Sequence, residues 1–189
     1  MRRSLDFLYR ASGALAAACL VGICLIVVAQ IAGRLIDGAA AWLLGVRFGL
    51  IVPSAAEFSG FLLAGASFLA LAYTLRAGGH IRVTLLIRRL GGRARRGAEL
   101  GCLAFAIALS GFFAWNMVLM VADSWTFDEV SYGMIPVPLW IPQALVAAGL
   151  IVLTIALIDE AAAVLAGREP SYAGKGEALL LDDPGASGE

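Results

Sequence analysis

The residues able to do chemistry are few and poorly arranged for it. The chain holds one histidine, His80, and three cysteines, Cys19, Cys24 and Cys102. One imidazole cannot provide bis-histidine haem ligation or a multi-histidine metal site. The cysteines lack zinc or redox spacing and lie in apolar stretches, where cysteine packs as a small hydrophobe. Asp128-Glu129 and Asp159-Glu160 are adjacent pairs in segments read as aqueous, and are expected to be solvated. Glu57 has a more telling position. Pro53-Ser54-Ala55-Ala56-Glu57 has capping-box spacing, with Ser54 as N-cap and Glu57 third in the helix. The helix dipole favours a carboxylate there. The competing reading makes Glu57 the embedded carboxylate of a small proton-driven, homo-oligomeric exporter. There is no nucleophile–base pair and no glycine-rich phosphate loop following a strand. The sequence therefore assigns no catalytic, substrate-binding or metal residue and no cofactor. The chain reads as a non-enzyme.

The segments that carry these residues belong in a bilayer. Of 189 residues, 61% are hydrophobic and 15% charged, and the mean hydropathy is +0.89. Soluble domains are about 25% charged. Fourteen cations balance fourteen anions, which leaves no basic surplus for nucleic acid. Charge is absent from Ala11–Gly33, Phe58–Leu75, Leu100–Ala122 and Val130–Ile158. About 20 apolar residues at 1.5 Å each span the hydrocarbon. The expectation is an all-α integral membrane protein with four transmembrane helices, at about 11–33, 55–75, 100–122 and 139–158. A cleaved signal peptide would have a shorter apolar core than the first stretch. Ala39–Val52, apolar but carrying Arg47, reads as a short interfacial helix.

Arginine placement sets the orientation. Arg2, Arg3 and Arg10 precede the first span. Arg76, Arg82, Arg88, Arg89, Arg93, Arg95 and Arg96 lie between the second and third. Arg168 and Lys175 follow the fourth, whereas the opposite side holds only Arg34 and Arg47. The positive-inside rule places both termini in the cytoplasm. Asp123, Asp128 and Glu129 then lie outside, and Trp42, Phe48, Trp125, Tyr132 and Trp140 fall near the outer boundary. Residues 1–165 read as one membrane domain and 166–189 as a polar, disordered cytoplasmic tail. Asn116 and Gln30, the costliest polar groups in the spans, are expected to bond neighbouring helices. Gly60 and Ala64, with Ser67 on the same face, mark helix 2 as a packing surface.

Several short motifs resemble one family. Gln30-Ile31-Ala32-Gly33-Arg34 closes the first span, Glu57 opens the second, and Arg76-Ala-Gly-Gly-His80-Ile-Arg82-Val83 follows it. Ile135-Pro-Val-Pro-Leu-Trp140-Ile-Pro142 precedes the fourth. Together they are similar to the small membrane subunit, DctQ type, of tripartite ATP-independent periplasmic (TRAP) transporters, over about residues 5–165. The sequence departs from the usual pattern at Ala55, Ala56 and Thr84. The resemblance implies a multi-pass subunit of the bacterial inner membrane with two partners, a large permease and a periplasmic substrate-binding protein. It further implies sodium-driven uptake of organic acids. Arg34, Glu57, His80, Arg82 and Trp140 become candidate structural or partner-contact residues.

Overall fold

The computed structural model describes residues 2–46, 48–50, 52–77 and 92–167. Among them are four helices, α1 (Arg2–Leu44), α2 (Ala55–Ala77), α3 (Gly92–Thr126) and α4 (Trp140–Leu165). All four are long and apolar enough to cross a membrane. The all-α membrane architecture expected from sequence is the one observed.

α1 departs most from expectation. It was read as ending near Gly33, with a separate interfacial helix over 39–52. Instead it runs unbroken for 43 residues. At 1.5 Å per residue that is about 64 Å, roughly twice the hydrocarbon thickness. The physical reason is local. Residues 34–44 contain no proline and are rich in Ala and Leu, the strongest helix formers. A charged residue ends the apolar stretch without ending the helix. Gly45 provides the stop, with φ of 67° and its N–H bonded to Ala41 O at 3.2 Å. The chain then folds back. Asp37 accepts the N–H groups of Phe48 at 3.0 Å and Leu50 at 2.9 Å.

The packing order is α1–α2–α4–α3. α1 lies on α2, α2 on α4 and α4 on α3, while α1 touches α4 only slightly. This is an open row of helices, with α2 and α4 at its centre. Their crossing depends on glycine. A Cβ built at Gly149 would lie 2.5 Å from the carbonyl carbon of Phe68 and 2.8 Å from Leu69 N. The backbones therefore approach as only small residues permit. Gly65 on α2 similarly receives Leu145 of α4, 3.1 Å from its would-be Cβ. The buried face of α2 is thus Gly65, Ala66, Leu69 and Ala72. Gly60 and Ser67 are exposed, so the small-residue face read from sequence points away from the chain's own helices.

α3 meets α4 through Leu103, Ile107, Ser110, Ala114, Met117, Val121 and Ser124, a seam at alternating three- and four-residue spacing. Thr154 Oγ1 donates to Ser110 Oγ at 3.1 Å across this seam. Asn116 was expected to bond a neighbouring helix. It bonds its own, with Nδ2 donating to Phe112 O at 2.8 Å, because it faces outward.

Replacing Gly149 with Ala forces Cβ onto the α2 backbone. The expected cost is about 1–3 kcal/mol in denaturant unfolding of the detergent-solubilised chain. Gly60→Ala meets open space and should be neutral or slightly stabilising by the same measurement.

Candidate functional site

Two structured regions sit at opposite ends of the central helices. At the first, α2 and α4 begin. Ser54 precedes α2 with φ of 55° and its carbonyl accepts the N–H groups of Glu57 and Phe58, both at 3.0 Å. Its hydroxyl is used elsewhere, accepting Ile135 N–H at 3.1 Å from the α3–α4 connection. The expected capping box is therefore not formed. The left-handed Ser54 turns its side chain toward that connection instead of along α2.

The connection itself is a built hairpin. α3 ends with Phe127 N–H on Asp123 O at 2.9 Å and Glu129 N–H on Ser124 O at 3.0 Å, around a left-handed Asp128. Val130 then bridges Pro138. The run Ile135-Pro136-Val137-Pro138-Leu139 alternates residues with and without an N–H. All three available N–H groups are used: Ile135 on Ser54 Oγ, Val137 on Ser131 Oγ at 3.1 Å and Leu139 on Glu129 O at 2.9 Å. Prolines occupy the alternate positions, where no donor has to be satisfied.

Glu57 lies beneath this hairpin. Its Oε2 is sealed from solvent and has no hydrogen-bond partner. A Cβ at Gly133 would collide with that oxygen and would lie 2.9 Å from Ser54 Oγ. Gly133 thus leaves room for the Glu57 carboxylate under the hairpin, and any side chain there would have to displace it. Beside it, Trp140 and Trp125 meet edge to face with centroids 4.9 Å apart. They help to wall a shallow cleft of about 510 Å³ that also includes Asp128 and Glu129. Ser124, fully buried, donates to Glu129 Oε2 at 2.6 Å.

At the opposite end, Arg76 ties three helices together. Its Nη1 lies 2.5 Å from Asp6 Oδ1 on α1 and 4.0 Å from Asp159 Oδ2 on α4. Its guanidinium lies 5.0 Å from the centre of the Tyr9 ring. Glu160, next in sequence to Asp159, is 3% exposed. The expectation that this pair is solvated is therefore corrected. α4 continues past Ile158, and its packing face carries Glu160 inward. Ser12 Oγ adds a buried bond to Leu69 O at 2.5 Å, which joins α1 to α2.

The structure places the candidate residues unevenly. Glu57 and Trp140 share the hairpin end. Arg34 is exposed on α1, within the turn that leads to Asp37. His80 and Arg82 lie outside the described residues. Sequence reasoning missed Gly133 as the lid over Glu57 and missed the Arg76 junction. Arg76 and Asp159 did carry a signal: each ends a charge-free stretch, which sets them at one membrane level. Among the described residues, no group of His, Cys, Asp or Glu is arranged to hold a metal ion.

The family model described as tripartite ATP-independent periplasmic transporters, DctQ component, matches residues 23–167 of the 189. The chain belongs to the DctQ family. It is accordingly a small membrane subunit of a TRAP transporter, a multi-pass protein of the bacterial inner membrane. No curated protein and no solved structure matches the chain. The DctQ match takes in Glu57, Gly133 and the proline-alternating hairpin, and begins after Asp6, Tyr9 and Arg10. Membership also replaces the exporter reading of Glu57, whose carboxylate is covered by the hairpin of its own chain.

Gly133→Ala should displace the Glu57 carboxylate and cost about 1–3 kcal/mol. In a Glu57→Ala background the same change should cost at least about 1 kcal/mol less. A double-mutant cycle measured by unfolding in detergent checks this, and additive costs would show that the two residues do not touch.

Proposed function

We propose that the chain is the non-catalytic scaffold subunit of a sodium-driven uptake system for organic acids. It holds a large permease subunit in the membrane and lies beside a periplasmic substrate-binding protein. One observation carries the scaffold reading beyond family membership. α1 and α3, at the ends of the row, each have a single full neighbour. Both expose large apolar side chains, among them Leu25 and Ile31 on α1 and Phe105, Phe112 and Trp115 on α3. Apolar area that the chain does not cover itself suits lipid and a polytopic partner. The charge-free spans support the same reading, since a conduit for organic acids needs polar groups along its path.

In this reading both termini are cytoplasmic, by the arginine distribution. The hairpin end, with Asp123, Asp128 and Glu129, then faces the periplasm. Arg34 and Trp140 are the contact residues proposed there, and Glu57 supports the hairpin. His80 and Arg82 are proposed as contacts on the cytoplasmic side. The cargo is chosen by the other subunits.

Purifying the tagged chain from its native membrane in mild detergent should bring a large polytopic permease in about equal amount, identified by mass spectrometry. Recovery of the chain alone, or as a homo-oligomer, would overturn the scaffold assignment. A reporter fused at Gly92 should read cytoplasmic, and a periplasmic signal would reverse the topology.

A further inference from the structure

α1 is longer than the bilayer it crosses, and its contacts with α2 show at which end. Arg76 pairs with Asp6, Ser12 bonds Leu69 O, and Gly22 faces Leu62. The two helices therefore run antiparallel, and Ala55, where α2 begins, is level with about Ala29. α1 continues to Leu44, about 22 Å further at 1.5 Å per residue. α2 alone, about 35 Å long, already takes up the hydrocarbon core and its boundary. Even inclined to α2 at about 50°, a common packing angle, the outer part of α1 rises about 14 Å, more than the headgroup layer on one side.

A helix that leaves the membrane ordinarily turns polar. This one does so only at Arg34 and Asp37, then becomes apolar again as Gly-Ala-Ala-Ala-Trp-Leu-Leu over 38–44. The returning chain at 48–50 covers one side of it, tied to Asp37 and lying against Gly33. The other side is bare: Leu35, Trp42 and Leu43 are 68%, 85% and 70% exposed. Leu35, Ala39 and Trp42 also continue a line begun within the span by Leu25, Val28 and Ala32, all exposed and spaced alternately by three and four residues. That is the spacing of a seam for a second helix. It is turned away from Ala16 and Cys19, which pack on α2.

Bare apolar surface of this extent marks an interaction site, and at that height lipid cannot cover it. A soluble protein would reach only its outer part. The whole line is covered by a protein that is embedded beside α1 and itself rises beyond the headgroups. We propose that the line from Leu25 to Trp42 is a docking seam for a helix of the large permease subunit, and that the two proteins stay in contact beyond the bilayer surface. That partner is taken from the scaffold reading above, whereas the height of α1 is independent of it.

The test keeps the full chain in its native membrane. A photoreactive benzophenone side chain in place of Trp42 should cross-link to a large polytopic permease, identified by mass spectrometry. An adduct with the soluble binding protein or with a second copy of the chain, or no protein adduct, overturns the proposal. Leu35→Glu combined with Trp42→Glu should cut permease recovery in mild detergent at least about fivefold, and Trp42→Phe should retain it. Both positions are exposed, so the thermal midpoint of the isolated chain should not change. If the unaltered chain recovers no permease, the scaffold reading fails and the seam with it. If it does, and the double variant recovers as much, only the seam fails. Height is checked in lipid nanodiscs holding the chain alone, its native cysteines replaced by alanine. A fluorophore on Leu43→Cys should escape quenching by lipids brominated along their acyl chains. Strong quenching would place the tip in the hydrocarbon and overturn the proposal.

Discussion

At Gly149 the backbone of α4 meets the backbone of α2 with no side chain between them, and the arrangement of the other helices follows from that contact. α1 packs on α2, and α3 on α4. In a membrane no hydrophobic driving force pulls helices together, so close approach and interhelical hydrogen bonds must do it. The Gly149 and Gly65 contacts supply the first. The Ser110–Thr154 and Ser12–Leu69 bonds supply the second, one on each side of the central pair.

The ion pairs and the hairpin lie at the two ends of the helices. At one, Arg76 reaches α1 and α4 from α2, which fixes the three helices in register. At the other, the proline-alternating run 135–139 spends its three N–H groups on named acceptors, and one acceptor is the hydroxyl that begins α2. The hairpin thereby joins the start of α2 to the start of α4. With ends tied and centre closely packed, the row can stay ordered while leaving its outer faces uncovered. That combination suits the scaffold role proposed above.

Much of the architecture was legible in the sequence. Charge-free runs marked the four spans because a charge in hydrocarbon is costly, and the short motifs pointed to the family later matched over residues 23–167. Helix length was less legible. Charge marks where the membrane ends, not where a helix ends, so α1 continued to Leu44 through residues that favour helix. Which face of α2 the chain's own helices cover was not legible for a related reason: Gly60 and Gly65 look alike in sequence, and only the neighbour decides which is buried. Glu57 was read as part of a capping box that does not form, and its covering by Gly133 links positions far apart in the chain. Nothing local announces such a contact. Asp159 and Glu160 were misread because α4 runs past the membrane boundary and carries Glu160 inward.

The central claim is that the helices form an open row with α1 and α3 at its ends. It is tested most directly by a spin-label distance between Cys residues placed at Ala17 on α1 and Ala108 on α3, both exposed, with the native cysteines replaced by alanine. Neighbouring helices pack 8–10 Å apart, so the row predicts a separation of about 20 Å or more between the two backbones. A separation of about 10 Å would mean that α1 and α3 are neighbours in a closed bundle, and would contradict the account.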